Sequence, residues 1–127
     1  MTIKEVSEKF ELTQDTIRYY EKIGLIPKVP RNKNGARNFN EDSCNWLEFI
    51  KCMRSAGMSI DALLKYVTYF KEGRKTLNKR KDLLLEQRDI LLEKQKNIEK
   101  TLERLEYKLK IYDEIIEGKR KDFMEEP

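Results

Sequence analysis

The sequence contains no histidine, and that absence excludes several kinds of functional site. Without an imidazole there is no Ser-His or Cys-His pair for nucleophilic catalysis and no histidine ligand for a metal ion. A glycine-rich phosphate-binding loop is missing as well. We therefore expect neither an enzyme nor a metal or cofactor site.

Cysteines and long apolar runs are also scarce. Cys44 and Cys52 are the only two cysteines, and no apolar run is long enough for a signal peptide or a membrane span. These features predict a protein of the reducing cytoplasm, with no disulfide scaffold and no membrane partner.

The charges are unevenly distributed along the 127 residues. Hydrophobic and charged residues each make up 39% of the chain, which suits one compact domain with a long, solvated helix attached. The net charge is only +4, but between Arg18 and Arg37 a single acid, Glu21, stands among six basic residues. This segment predicts a surface for an anionic partner. The six basic residues are Arg18, Lys22, Lys28, Arg31, Lys33 and Arg37.

Two short helices are predicted at the N-terminus. Thr2 and Glu5 have the spacing of a capping box, which begins a helix over about residues 3–10. Thr13 is a good N-cap for a second helix over about 14–23, which Gly24 can end. Helical spacing directs Ile17 and Tyr20 toward the first helix. The segment is therefore predicted to be a helix-turn-helix.

The next segment has the features of a small basic wing. Pro27 and Pro30 prevent a further helix, and Asn34-Gly35 suits the two-residue turn of a β-hairpin. Arg31, Lys33, Arg37 and Phe39 would lie on the two arms. A third helix follows over about residues 41–56, and a fourth runs from the Ser59 cap to about Lys71.

The apolar face of the third helix decides where the cysteines lie. At 100° per residue this face centres among Trp46, Phe49, Ile50, Met53 and Ala56. Cys52 then lies at the edge of the core, and Cys44 faces away from it. From the residues alone, a packed and inert Cys52 is the simpler interpretation.

Residues 74–117 lack proline and glycine and carry a heptad repeat. An apolar residue recurs every seventh position: Leu77, Leu84, Leu91, Ile98, Leu105 and Tyr112. The column four residues later is apolar only at its end, in Leu102, Leu109 and Ile116. This pattern predicts a coiled coil between two copies of the chain, closest in its C-terminal half. The predicted domains are 1–72, 73–117 and a short charged tail, 118–127.

Two function classes are compatible with these features. A helix-turn-helix also occurs in domains that bind nothing, and a basic loop is often only solvated. The second helix and the wing, however, are both positively charged, and binding of duplex DNA is the simplest single explanation for both. The alternative from another function class is a coiled-coil adaptor that binds protein. If the chain bound random duplex with a steep salt dependence, this alternative would be excluded.

The segment Thr13–Ile26 resembles the T-x-R-Y-Y-E-x-x-G-L signature of MerR-type regulators, and Gly35–Phe39 is similar to their wing. Phe39 replaces the tyrosine usual there. The resemblance implies a mostly α fold, namely a winged helix-turn-helix followed by a long helix that forms an antiparallel coiled-coil dimer. It also implies a transcriptional regulator that distorts promoter spacer DNA for RNA polymerase.

The resemblance implies which residues contact DNA. On the second helix Gln14 and Thr16 would lie near base edges, with Arg18 and Tyr19 on phosphate. The wing and the later helices would hold the flanking backbone. The full predicted set is Thr13, Gln14, Thr16, Arg18, Tyr19, Lys22, Arg31, Lys33, Arg37, Arg54 and Lys65.

Residues 46–57 resemble the thiol- and aldehyde-responsive AdhR/NmlR branch of that family. In that branch the sensing cysteine occupies the position of Cys52. The resemblance implies that a Cys52 thiolate attacks an aldehyde or enone and that the adduct repacks the junction between the third helix and the partner's coil. The alternative is an inert Cys52 in a regulator that binds a small ligand non-covalently.

Overall fold

The structure is a computed structural model that describes residues 1–120, and it is mostly helical. Its helices are α1 (Ile3–Phe10), α2 (Gln14–Lys22), α3 (Glu41–Ser55), α4 (Ile60–Lys71) and α5 (Leu77–Ile116), with a short 3₁₀ helix, Arg74–Thr76, before α5. The predicted helices are confirmed to within one turn at each end. Contacts divide the chain into one unit of residues 1–87 and a second from Arg88 onward.

The predicted division after residue 72 stays a prediction. The predicted tail, 118–127, lies mostly outside the described residues.

Local hydrogen bonds fix the helix starts. The Thr2 hydroxyl accepts from the amide of Glu5 at 3.1 Å, and the Glu5 carboxylate accepts from the amide of Thr2 at 2.9 Å, so the capping box is confirmed. Thr13 caps α2 by accepting from the amide of Thr16. Asn40 and Ser59 cap α3 and α4 in the same way. Helix positions are thus set by side chains within the first turn.

The core of residues 1–87 joins the first four helices. Val6 and Phe10 of α1 pack with Ile17 and Tyr20 of α2, as the sequence predicts. The core cluster also contains residues of the following loop and of both later helices: Leu25, Ile26, Val29, Phe39, Leu47, Ile50, Met58 and Leu63. The helix-turn-helix is therefore part of a larger helical core.

The predicted orientation of α3 is wrong in part. Its buried residues are Ser43, Leu47 and Ile50, whereas Trp46 and Phe49 are only half-buried. These two rings lie at the edge of the core and also pack against Tyr66 and Phe70 of α4, with Trp46 and Phe70 edge to face at 4.9 Å between centroids. The face buried in the core is rotated toward Leu47, because the aromatic rings form a second layer with α4.

This rotation changes the place of both cysteines. Cys44 is half-buried and packs against the core cluster, so the prediction that it faces away is wrong. Cys52 is exposed.

The predicted β-hairpin wing is not formed as a pair of strands. Within residues 1–120 the segment contains only an isolated bridge between Arg31 and Arg37. The Gly35 amide donates to the Asn32 carbonyl at 3.0 Å, and Gly35 has φ +81°, whereas Asn34 does not enter the left-handed region. The turn is therefore a three-residue loop that ends in a left-handed glycine, and not the predicted two-residue turn. The Asn32 side chain accepts from the amides of Asn34 and Ala36, and backbone bonds join the arms from the Asn32 amide to the Ala36 carbonyl at 2.8 Å and from the Asn38 amide to the Pro30 carbonyl at 2.7 Å.

A single buried carboxylate attaches this loop, residues 31–37, to α2. Glu21 accepts from the Val29 amide at 2.6 Å, from Arg37 Nε at 2.7 Å and from Arg31 Nη2 at 3.5 Å. Its side chain is only 8% exposed. Burial opposes ionisation of this carboxyl group, but the bonds from Val29 and Arg37 outweigh burial and lower the pKa of Glu21. Glu21 is therefore ionised at neutral pH and fixes the loop beside α2.

The turn from α4 into α5 is also held by specific contacts. The Thr76 hydroxyl is buried within hydrogen-bond distance of the carbonyls of Tyr69 and Gly73. Arg80 donates to the Thr76 hydroxyl at 3.1 Å and to the Gly73 carbonyl at 3.2 Å, and its guanidinium lies over the ring of Phe70. The first turns of α5 are therefore anchored to the end of α4.

We predict that Glu21→Gln lowers the free energy of unfolding by about 1.5–3 kcal/mol at pH 7.5, the usual value of a hydrogen bond to a charged group. The pKa of Glu21 is lowered in the folded state, so its contribution is complete above the unfolded-state pKa. It disappears as the pH falls through the folded-state pKa. Urea unfolding at matched chain concentrations should therefore show a large difference between the two proteins at pH 7.5 that shrinks in acid.

Asp15→Asn is the matched control, because Asp15 forms an ion pair on the same helix but its side chain is 96% exposed. It should change stability far less. If Glu21→Gln lost the same free energy of unfolding at pH 7.5 and in acid, the stabilisation would not come from the charge of the Glu21 carboxylate.

Candidate nucleic-acid interface

One face of α2 is turned to solvent because the other face is part of the core. Ile17 and Tyr20 are buried, whereas Tyr19, between them on the outer side, is 49% exposed. The side chains predicted to contact DNA from this helix and its cap are all exposed or partly exposed: Thr13, Gln14, Thr16, Arg18, Tyr19 and Lys22. The structure thus places them where a ligand can reach them.

The polar side chains at the start of α2 are ordered by bonds to one another. Arg18 donates to Asp15 at 3.1 Å and to Gln14 at 3.2 Å. The hydroxyls of Thr13 and Thr16 are 2.7 Å apart. Bonds this exposed contribute little stability, because water competes for the same groups. They hold the side chains on one surface and can be exchanged for bonds to a ligand.

A groove beside α2 collects cationic side chains from three parts of the chain. It is lined by α2, by the loop that follows α2 and by the end of α4, and we call it the basic groove. Its charged lining consists of six cations and one carboxylate: Arg18, Lys22, Lys28, Arg31, Arg37, Lys71 and Glu21. Since Glu21 is already bonded to Arg31 and Arg37, the groove keeps an excess of positive charge that suits phosphate.

The groove brings together four of the predicted DNA contacts, namely Arg18, Lys22, Arg31 and Arg37. The other predicted residues lie outside it: Thr13, Gln14, Thr16, Tyr19, Lys33, Arg54 and Lys65. Arg54 donates to the Met58 carbonyl at 2.9 Å and so closes the turn between α3 and α4. Lys33 is exposed in the 31–37 loop, and Lys65 is exposed on α4.

The predicted set of DNA contacts left out three charged residues of the basic groove: Glu21, Lys28 and Lys71. Glu21 and Lys28 were available as charges in the basic segment, and the isolation of one acid among six bases was the signal for Glu21. Lys71 had no signal, because it reaches the groove only through the packing of α4. Its Nζ lies 3.8 Å from the position that a Cβ would occupy on Gly24, in the turn after α2.

Cys52 lies in a second, open pocket formed by α3 and the end of α1. The pocket is lined by Lys9, Phe10, Glu48, Lys51, Cys52 and Ser55. Two ammonium groups thus share the pocket with the thiol, and one of them, Lys9, comes from a different helix and lies 5.4 Å from the centroid of the Phe10 ring. A small electrophile has open access to the sulfur there.

Two other kinds of feature are absent from residues 1–120. No group of three or more Cys, Asp or Glu side chains in this part of the chain could hold a metal ion. No helix there is long and apolar enough to cross a membrane.

The C-terminal half of α5 exposes the apolar side chains of the predicted coiled-coil seam. Ile98 and Leu105 are 60% and 54% exposed. The rest of this seam is exposed as well: Leu102, Leu109, Tyr112 and Ile116. Burial of each large apolar side chain contributes about 1.5–3 kcal/mol, so a second helix along this seam would be stabilising.

Known proteins resemble this chain in both sequence and structure. Residues 1–77 match the MerR HTH family of regulatory proteins. The HTH-type transcriptional regulator AdhR of Bacillus subtilis (strain 168) is 50% identical over 93 residues, which are 73% of this chain and 66% of AdhR. This chain therefore aligns with slightly under two thirds of that relative.

Two solved structures share the fold over most of their length. A MerR family transcriptional regulator from Listeria monocytogenes has a TM-score of 0.85 and 45% sequence identity. The superposition covers 89% of this chain and 86% of the Listeria chain. HiNmlR, a MerR family regulator described as lacking the sensor domain and bound to promoter DNA, has a TM-score of 0.83 and 29% identity, with 90% of each chain covered. Because the family match spans more than half of the residues, this chain belongs to the MerR HTH family of DNA-binding transcriptional regulators, which are not enzymes.

Proposed function

We propose that the chain acts as a homodimer that binds promoter DNA through α2 and the basic groove and responds to reactive aldehydes or other electrophiles at Cys52. The observation that carries the DNA part is the continuity between the exposed face of α2 and the groove, which share Arg18 and Lys22. A helix in the major groove needs flanking phosphate contacts to fix its register, and the basic groove supplies the cations for them.

The proposed contacts divide by chemistry. Gln14 and Thr16, at the N-terminal end of α2, read base edges, and the Thr13 cap lies beside them. Phosphates are held by Arg18, Tyr19 and Lys22 of α2. Flanking backbone is held by the 31–37 loop and the later helices through Arg31, Lys33, Arg37, Arg54 and Lys65. The loop performs the role of the wing, and Glu21 fixes its position beside α2.

The proposed dimer forms through α5, whose C-terminal half carries the exposed seam. An antiparallel coiled coil would place the α2 helices of the two protomers on separate turns of the duplex. Such a dimer can bend and untwist the spacer between two promoter elements so that RNA polymerase engages both. The deformation costs several kcal/mol, which the distributed phosphate contacts offset. The proposed site of action is the cytoplasm.

The proposed effector chemistry is addition to Cys52. With an α,β-unsaturated aldehyde the Cys52 sulfur forms a bond to the β-carbon, the C=C π pair moves toward the carbonyl group, and the α-carbon takes up the proton lost by the thiol. A saturated aldehyde adds through its carbonyl carbon instead, and the carbonyl oxygen takes up that proton. No oxidant is needed. Support comes from the exposure of Cys52, from the open pocket around it and from the similarity to AdhR.

A second candidate is a regulator with an inert Cys52 and a non-covalent ligand. The observation that favours it is an apolar recess between α3 and α4, lined by Asn45, Trp46, Phe49, Tyr66 and Phe70. Aromatic side chains with one amide suit a small apolar ligand.

We predict that Arg18→Gln lowers affinity for random and promoter duplex by a similar factor and reduces the slope of log K against log salt by about 1, because one phosphate contact is lost. Fluorescence anisotropy between 50 and 200 mM salt measures both quantities. Arg88→Gln, which removes an exposed arginine on α5, is the control and should leave the slope unchanged. Binding of wild type to random duplex without salt dependence would instead favour the protein-binding adaptor.

We predict that Leu105→Asp raises the dimer dissociation constant at least about 100-fold, since each protomer would bury a charge where a leucine packed. Sedimentation equilibrium measures the change, and circular dichroism checks that the helices remain. Lys96→Asp introduces the same acid on the outer face of the heptad and should leave the dimer intact. Equal dissociation constants for both variants would contradict a dimer through this seam.

We predict that an α,β-unsaturated aldehyde activates transcription by wild type and by Cys44→Ser, but not by Cys52→Ser. The template is the DNA upstream of the gene for this protein. Mass spectrometry of the same samples should find the adduct at Cys52. Activation of Cys52→Ser to the wild-type level would contradict the covalent switch and favour the non-covalent ligand.

A further inference from the structure

The basic groove contains two lysines to which the contacts described above assign no individual role. Lys28 lies in the loop after α2, and Lys71 is the last residue of α4. We propose that Lys71, together with Lys22 and Lys28, binds a backbone phosphate of the DNA, so that the end of α4 is part of the DNA interface. This inference rests on the proposed placement of α2 on DNA.

The packing of α4 brings Lys71 to the turn that follows α2. Its Nζ lies 3.8 Å from the position that a Cβ would occupy on Gly24. Gly24 has φ +82°, which turns the chain sharply at the end of α2. The ammonium group therefore reaches the backbone of the α2 turn and lines the groove there.

The charge balance of the groove favours an anion. Its single carboxylate, Glu21, already accepts from the Val29 amide at 2.6 Å and from Arg37 Nε at 2.7 Å. Within residues 1–120, neither Lys22, Lys28 nor Lys71 forms an ion pair. Ammonium groups that line one groove repel one another, and an anion bound in the groove lowers that repulsion.

The shape and position of the groove indicate the DNA backbone as the source of the phosphate. The groove is open, and Arg18 and Lys22 belong both to its lining and to the exposed face of α2. A strand whose bases lie against α2 would place its next phosphates along this lining. Lysine ammonium groups bind phosphate as point charges without a fixed geometry, which suits a backbone that carries no sequence information.

The consequence concerns the start of α5. Lys71 directly precedes the Gly73 turn, whose carbonyl is bonded to Arg80 and lies near the Thr76 hydroxyl. A phosphate held by Lys71 is thus connected through a few fixed residues to the first turn of α5. DNA binding then restrains the segment from which the proposed dimerisation helix begins.

The test compares Lys71→Gln, Lys28→Gln and Arg18→Gln with the wild type as full-length protein. Affinity for a random duplex and for the upstream promoter duplex is measured by anisotropy between 50 and 200 mM salt. We expect Lys71→Gln and Lys28→Gln each to lower affinity several-fold on both duplexes and to reduce the salt slope by about 1. Lys75→Gln is the matched control, because Lys75 is exposed nearby but does not line the groove.

Each contrary outcome has a distinct meaning. A loss with Arg18→Gln but none with Lys71→Gln overturns this inference and leaves the proposed interface in place. No loss with either variant overturns the proposed interface as well. An equal loss with Lys75→Gln shows a general effect of net charge and overturns the specific contact. Binding of inorganic pyrophosphate is measured by calorimetry at constant ionic strength. If the wild type binds pyrophosphate, Lys71→Gln does not, and both bind duplex equally, the groove takes free phosphate and this inference is overturned.

Discussion

The surface proposed to face DNA depends on one buried carboxylate among basic side chains. Glu21 is the last acid before the loop, and without it Arg31 and Arg37 would repel each other and Lys22 of α2. Burying an ionised carboxylate is costly, but a backbone amide at 2.6 Å and a guanidinium Nε at 2.7 Å offset that cost. The same contacts join three parts of the proposed DNA interface: the end of α2, the segment before the loop at Val29, and the cationic side chains of Arg31 and Arg37. Positional order and charge compensation thus come from a single residue.

The helices could be predicted from the sequence because their signals are local. Thr2, Thr13 and Ser59 each bond to an amide within the next turn, so the start of each helix is determined by a few consecutive residues. The burial of Ile17 and Tyr20 follows in the same way from helical spacing on one short helix. The buried face of α3 was harder to predict, because the helix carries two apolar stripes and either could face the core. Leu47 and Ile50 face the core, whereas Trp46 and Phe49 meet the aromatic rings of α4, and only the tertiary packing separates the two stripes.

The 31–37 loop shows a second limit of sequence reasoning. Asn34-Gly35 indicates a tight turn correctly, but its type depends on which residue satisfies the backbone amides. Here the Asn32 side chain accepts from two amides of the turn, so only Gly35 needs the left-handed conformation, while backbone bonds join the arms at Asn32–Ala36 and Pro30–Asn38. The basic groove was unpredictable for a related reason. Its members Arg18 to Arg37 form a contiguous segment, but Lys71 joins them only because α4 ends beside the Gly24 turn.

The position of Cys52 suggests how the proposed chemistry can reach DNA. Cys52 faces the end of α1, where Phe10 lines its pocket and is at the same time a member of the core. The core also contains Ile17 and Tyr20, whose helix carries the side chains proposed to face DNA. The pocket around the sulfur is open, so an adduct there acts first on the pocket lining, where Lys9 and Phe10 of α1 lie beside α3. Because Phe10 also packs in the core with Ile17 and Tyr20, α1 connects the proposed chemistry at Cys52 to the helix proposed to bind DNA.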